Sequence, residues 1–497
     1  TLWHYDMKQP MSSYLVALAI GKYKKYEIQS ESGIPIEMYA YQGDDQYAEP
    51  TYRFTKQIFD FLEQEIGVPY PWQNYKQVPV KDFLYAGMEN TTLTIFSDNL
   101  LTDKTGFLDQ NYVNVNAHEL AHHWFGDLVT ETHGTHHWLH EGFATYYALL
   151  AEKDVFGENY YYYELYKTSR QLVEAQKTDT IPLMNPKASS LTFYQKGAWA
   201  LHRLREIIGD KTFKTSVKRY LNTYQFKNVE TDNFINIVEQ ESKKDLSGFV
   251  DTWLKDTTFP EEEVKQSLSK NKMCRILFDG IDLDKYNTQP SIMLEYYPVN
   301  YELVDAAVEK PEHKYSKAII EVILNSPPIE AYRLDKIRQY LAGAFPKIPE
   351  EYKKGYETLL SDPSYITKES ALINLWINFP EDRAKYLDAT KGVMGFKDKS
   401  LRSLWLALAT VTEGYDVDKK NDYFFELIDY TSPKHGFDVR RHAFVFLDRI
   451  QGFNEEAIKN LLEATRHHNW RFKKNAKNLL KQLKKNPNYT KWIEKYE

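Results

Sequence analysis

Two histidines four residues apart, with a glutamate nineteen residues beyond the second, could hold one metal ion. The first stretch is His118-Glu119-Leu120-Ala121-His122, and Glu141 follows inside Trp138-Leu139-His140-Glu141-Gly142-Phe143-Ala144. On a helix, residues i and i+4 share a face, so His118 and His122 can bring two imidazoles to one point. With one carboxylate they make a three-ligand zinc site whose fourth position stays open. Glu119, beside the first ligand, can take a proton from a water held there. The chemistry is metal-assisted hydrolysis. Apolar flanks (Leu120, Ala121, Trp124, Phe125) put these histidines at a buried border. His123 and His140 each adjoin a ligand and point about 100° around the helix from it, away from the same metal. His133, His136 and His137 read as polar filler in the connecting loop.

Two helices must carry the three ligands, over residues 111–129 and 138–153. Upstream, Phe54, Ile58, Phe61, Leu62 and Ile66 recur at helical spacing, and Gly67 ends that helix. Residues 76–84 and 92–96 read as strands on either side of Ala86-Gly87-Met88-Glu89-Asn90. Residues 14–20 are an apolar run suited to a buried strand, 22–28 alternate as a half-exposed strand would, and 37–41 form another. Two or three strands do not make a stable sheet alone, so they need partners further along or elsewhere. Downstream, helices are expected over 160–178, 191–208, 212–224, 231–241 and 246–254, with the four tyrosines at 160–163 at the surface. Residues 261–313 have mixed strand and loop character. From 314 onward helix follows helix (315–325, 329–343, 350–361, 365–378, 399–412, 420–431, 437–451, 454–467, 469–485) across short Pro- or Gly-containing turns, the pattern of an α-solenoid.

The chain has 497 residues, too long for one core. Sixty-three basic against seventy acidic residues leave a net charge of −7, unlike the strong basic excess of nucleic-acid binders. A single cysteine, Cys274, rules out an intrachain disulfide framework and reads as a buried, inert thiol. No apolar run approaches the roughly 20 residues needed to cross a bilayer. Arg466, Arg471, Lys473, Lys474, Lys477, Lys481, Lys484 and Lys485 read as a solvated helix face. Compartment, cytoplasmic or exported to a periplasm, and oligomeric state stay open.

Three motifs in order, Ala86-Gly87-Met88-Glu89-Asn90, His118-Glu119-Leu120-Ala121-His122 with Glu141, and Tyr194-Gln195-Lys196-Gly197-Ala198, resemble the M1 family of zinc aminopeptidases. These are the gluzincins that include aminopeptidase N and leukotriene A4 hydrolase. Tyr70-Pro71-Trp72 and Trp124-Phe125-Gly126-Asp127 agree with it. The resemblance covers residues 10–260 and fades to a general likeness to the family's helical C-terminal domain.

The resemblance implies a mostly helical α+β fold. Residues 1–40 would be the last strands of an N-terminal β domain and 41–260 a thermolysin-like zinc catalytic domain. Residues 261–313 would be a mixed connector, and 314–497 a helical, HEAT- or armadillo-like domain. It implies one zinc ion on His118, His122 and Glu141, Glu119 as general base and Tyr194 as donor to the oxyanion. Glu89 would bind the substrate's α-ammonium group, Ala86, Gly87 and Met88 would line the peptide, and Thr145 would orient a ligand. The implied activity is removal of N-terminal residues from peptides with a free N-terminus. The alternatives are an epoxide hydrolase-like bifunctional member of the family and a non-catalytic peptide-binding scaffold. Three positions depart from the family pattern: Ala86 where Gly is usual, His140 where Asn commonly precedes the ligand glutamate, and His123 where Gln or Ser often stands. None removes a catalytic group.

Overall fold

The alternation at residues 23–41 is that of a hairpin with one buried face. In a computed structural model, which describes residues 2, 4–280, 283–286, 300–325 and 332–497, β1 (Tyr23–Gln29) and β2 (Pro35–Tyr41) pair antiparallel, with Tyr26 opposite Met38. Ile36, Met38 and Ala40 turn inward. β2 then pairs in parallel with β3 (Tyr75–Val80), Ile36 opposite Tyr75. With β4 (Gly87–Met88) and β5 (Leu93–Ser97) the sheet order is β1-β2-β3-β5-β4. The first two strands therefore find their partners further along the same chain. β4 lies at the edge, with its ladder to β5 on one side only.

Residues 14–20 are not the buried strand expected of them. Ser13–Leu15 is a 3-10 turn with Leu15 buried, whereas Tyr14, Val16, Leu18 and Ile20 are exposed. A run in which every side chain is apolar carries no period to say which face turns inward. What holds it is a polar contact: Asn90 Nδ2 donates to the Leu15 carbonyl at 3.0 Å.

The chain separates into two compact units. The first comprises residues 1–79, 85–96 and 112–280. Its helices α1 (Asp45–Tyr52) and α2 (Thr55–Ile66) break around Arg53–Phe54, and α2 ends at Gly67, whose φ of +72° suits a residue without a Cβ. α3 (Val113–His122) stops short of the expected end at 129. Gly126, at φ +140°, turns the chain into β6 (Val129–Glu131), which pairs in parallel with β7 (Lys227–Val229). α4 (Trp138–Phe156) is buried from Trp138 to Glu152. It has no polar stripe because α3, α5 (Glu158–Ala175) and α6 (Gly197–Ile208) surround it. α7 (Asp210–Tyr224) and α8 (Thr231–Ser242) complete the packing on this side. Among the four tyrosines, Tyr161 is a core residue and not a surface phenol; its hydroxyl meets His202 Nδ1 at 2.8 Å.

The second unit comprises residues 80–84, 97–111 and 281–497. From 300 on its described residues are mostly helical, and most helices pack on the next or on the next but one, as in a solenoid. Residues 365–378 form the helix expected there, and 383–390 and 487–496 add helices that were not expected. The two short segments supply caps. Asp109 accepts from Ser364 Oγ at 2.6 Å and Tyr365 N at 2.7 Å at the start of one helix. Asp82 accepts from Phe437 N at 2.6 Å at the start of another. The described residues between 261 and 313 are helical rather than mixed, at Glu261–Leu268, Lys272–Asp279 and Asn300–Glu309. Val264, Ser267 and Leu268, then Met273, Cys274 and Leu277, fall on one buried helix face each. Residues 281–282 and 287–299 of that stretch, and 329–331 of the next helix, lie outside the described residues. Cys274 is buried, and burial pushes its thiol up to about 12, as expected of an inert sulfhydryl. The basic residues of 466–485 are mostly exposed. No helix among the described residues is long and apolar enough to cross a membrane.

Candidate metal centre and its cleft

The one-turn spacing on α3 and the start of α4 bring three ligand atoms together. His118 Nε2 and His122 Nε2 are 3.0 Å apart. Glu141 Oε2 lies 3.2 Å from the first and 3.4 Å from the second. His122 Nδ1 donates to the Phe125 carbonyl at 2.9 Å, which leaves Nε2 as a lone pair. Glu141 Oε2 is buried without a hydrogen-bond partner. Three ligand atoms, those of His122 and Glu141 on buried residues and that of His118 half-buried, therefore face one another at separations suited to bond lengths of about 2.0–2.2 Å. A zinc ion fits this donor set.

Glu119 is buried beside this triangle, and burial raises its carboxyl well above the usual range. It is hemmed in by β4: a Cβ on Gly87 would stand 2.4 Å from Glu119 Oε1. Only glycine lets the edge strand approach so closely. Ligand atoms of Glu89, Glu119 and His122 lie within 4.8 Å of one another. Tyr14 donates to Glu89 Oε1 at 3.5 Å, a contact set up by the Asn90 bond that holds the 13–15 turn. Sequence reasoning missed Tyr14, because its neighbours read as a strand.

Tyr194 comes from a different element. Thr192–Lys196 is one π-helical turn leading into α6, a device that recurs at functional sites. It stacks the phenol on His118, with ring centres 5.4 Å apart and planes 7° apart. Burial and then the Glu141 carboxylate push the phenol up, so it remains a donor. Lys196 is buried and donates to the carbonyls of Asp256 at 2.7 Å and Thr258 at 3.2 Å, which anchors the turn. Gly197 and Gly142 explain the glycines of two motifs. A Cβ on Gly197 would meet Gly142 Cα at 2.8 Å, so α4 and α6 touch backbone to backbone beside Glu141 and Tyr194. Gly197→Ala is expected to cost about 1–3 kcal/mol by overpacking, read from urea unfolding curves, and to reduce zinc retention on dialysis.

Residues 51–253 match the model of the peptidase family M1 domain. That stretch is therefore similar to a peptidase family M1 domain. Over 285 residues it is 29% identical to glutamyl aminopeptidase of Rattus norvegicus, a match covering 53% of this chain and 30% of that protein. Over 278 residues it is 30% identical to aminopeptidase 2, mitochondrial, of Saccharomyces cerevisiae, covering 53% and 29%. The match thus spans about 30% of these curated relatives' own length. The native yeast LTA4 hydrolase structure superposes with a TM-score of 0.57 at 17% identity, over 95% of this chain and 69% of that one. That likeness is one of fold.

The centre lies in an open cleft of about 1190 Å³. Ala86, Gly87, Met88 and Glu89 line it on one side and Tyr194 on another. Thr145 also lines it, but its hydroxyl is buried with no hydrogen-bond partner, so it does not orient a ligand as expected. His123 is a core residue whose Nδ1 meets the Tyr70 hydroxyl at 2.7 Å; burial pushes it down to about 3. His133 and His136 bond to Thr135 and Thr231. His137 is not filler: its Nδ1 lies 3.0 Å from Glu131 Oε1 and its Nε2 3.5 Å from Glu141 Oε1.

Glu152 lines the same cleft, buried, and accepts from Asn114 Nδ2 at 2.8 Å and Tyr160 Oη at 3.2 Å. Burial, then Glu164, raise its carboxyl from 4.5 to about 7. A raised carboxyl favours the fold below about pH 4.5 and loses that contribution as pH rises through 7, in all about 3 kcal/mol. Glu152→Gln removes the charge and keeps the Asn114 contact on its carbonyl oxygen, while its amide can donate to the Tyr160 hydroxyl in place of accepting from it. It is expected to stabilise the protein by about 1–3 kcal/mol at pH 8 and by nothing measurable at pH 4.5, tested by urea unfolding at both pH values.

Proposed function

We propose that this cleft removes the N-terminal residue from peptides with a free α-amino group, using one zinc ion held by His118, His122 and Glu141. The observation that carries the exopeptidase reading is the closeness of Glu89 to Glu119 and His122, all within 4.8 Å. An ammonium group paired with Glu89 leaves room for about one residue, some 3.3–3.6 Å of extended chain, before the metal ligands. An internal peptide segment lacks the charge that would compensate this carboxylate.

A zinc ion bound there would supply Lewis-acid polarisation of a carbonyl and a water of lowered pKa. The chain's own groups do the rest. Glu119 takes the water's proton on its carboxylate and delivers it to the leaving amine. Tyr194, protonated and stacked on His118, donates its O–H to the oxyanion, a contact of the kind worth about 3 kcal/mol. Gly87 and Met88 offer the free edge of β4, to which an extended peptide can add as a further strand, with Ala86 at its entrance.

The test is a panel of aminoacyl chromogenic substrates, their N-acetylated forms and a lipid epoxide, each with and without a chelator. The expected result is hydrolysis of the free-amine substrates only, abolished by chelation and restored by zinc. Turnover of N-acetylated substrates at an equal rate would refute the exopeptidase reading. Turnover of the epoxide alone would refute the peptidase reading.

A further inference from the structure

Glu131, His137 and His140 belong to none of the three motifs, yet their ligand atoms lie within 4.8 Å of one another on the cleft wall. Hydrogen bonding settles which nitrogens carry protons. His140 Nε2 accepts the backbone N–H of Glu131 at 2.8 Å, so its proton sits on Nδ1, which faces Glu131 Oε2 at 3.3 Å. His140 is therefore a clamp on that carboxylate and not a ligand. The clamped carboxylate receives His137 Nδ1 at 3.0 and 3.1 Å from its two oxygens. In the neutral ring, with its proton on Nδ1, His137 presents Nε2 as a lone pair.

That lone pair looks at Glu141. His137 Nε2 is 3.5 Å from Glu141 Oε1, while His118 and His122 face the other oxygen, Oε2. Two metal–ligand bonds of about 2.0–2.2 Å at a tetrahedral angle separate their donor atoms by about 3.3–3.6 Å. A carboxylate behind an imidazole is the arrangement that fixes tautomer and ring direction in metal-ligating histidines. His137 is also 34% exposed, so an ion and its waters can reach it.

We propose that His137 Nε2 and Glu141 Oε1 form a second divalent-cation site, oriented by Glu131 and sharing Glu141 with the first. The inference rests on the reading that His118, His122 and Glu141 hold zinc. With two protein ligands against three, the second site is the weaker and fills after the first. Water completes its coordination. Because it stands in the cleft beside Glu141, its occupancy obstructs the peptide, so excess zinc inhibits the enzyme.

The experiment is equilibrium dialysis of the full chain against rising free zinc, with metal per chain read by atomic emission. The wild type is expected to plateau at one zinc and then at two. His137→Gln is expected to stop at one. Glu131→Gln is expected to fill the second site about 10- to 100-fold more weakly, the usual effect of losing a group behind a metal ligand. A wild-type count that never passes one, or a second zinc retained in His137→Gln, would overturn the proposal. So would loss of the first ion in His137→Gln, which would make His137 a support for Glu141 instead. A wild-type count of zero would overturn the first-site reading as well, so the two failures are distinguishable.

Discussion

Glu119→Gln is expected to lower kcat/KM by about 10²- to 10⁴-fold, the contribution of a positioned general base, with zinc content and KM little changed. The substitution keeps volume and one acceptor but removes the basic oxygen. Glu119 is not one of the three atoms that converge on the metal position; those are His118 Nε2, His122 Nε2 and Glu141 Oε2. Metal retention should therefore survive. Steady-state kinetics beside atomic emission of the dialysed variant separates the outcomes. A fall in kcat with one zinc bound fits a base that acts in the transition state. A parallel loss of zinc would make Glu119 part of the metal site. Gly87→Ala should act through the same group, because its Cβ would stand 2.4 Å from Glu119 Oε1, and the carboxylate must move to admit it.

The parts of this site that could be read in the chain are those that periodicity encodes. His118 and His122 share a face because a helix repeats every 3.6 residues, and Glu141 falls on the next long helix. The break of α2 at Gly67 was legible for the same kind of reason: a left-handed residue is needed to end it. What was not legible depends on contacts distant in sequence. Residues 14–20 carry no alternation, so only tertiary contacts, the Asn90 bond to Leu15 and the Tyr14 bond to Glu89, show where they lie. Residues 80–84 read as the end of a strand that in fact stops at Val80, 97–111 read as a connection, and only Asp82 and Asp109 capping helices hundreds of residues on reveal what these segments pack with. His137 looked like any loop histidine. Its difference lies in two distances, to Glu131 and to Glu141, that no spacing rule supplies. The glycines of the Glu-Gly-Phe-Ala and Lys-Gly-Ala stretches were visible as letters, but their reason, the contact between Gly142 and Gly197, is tertiary.

Glu89→Gln is expected to remove the preference for a free N-terminus. Truncating one partner of a desolvated charge pair costs about 2–5 kcal/mol, so kcat/KM for free-amine substrates should fall about 30- to 5000-fold. N-acetylated substrates have no ammonium to lose and should change little, so the ratio between the two classes should contract toward one. That contraction distinguishes amine recognition from a general disturbance of the cleft, which would depress both classes alike. The geometry argues for a local effect. Glu89 follows the short strand β4, its Oε1 accepts from Tyr14 at 3.5 Å, and Asn90 beside it is tied to Leu15. Glutamine can keep the Tyr14 contact through its carbonyl oxygen while losing the charge. Tyr14→Phe then gives the complementary measurement: it leaves the charge and removes the hydroxyl. If Glu89 acts as the amine anchor, Tyr14→Phe should keep most of the discrimination that Glu89→Gln abolishes, because the discriminating element is the carboxylate's charge and not the hydrogen bond that positions it.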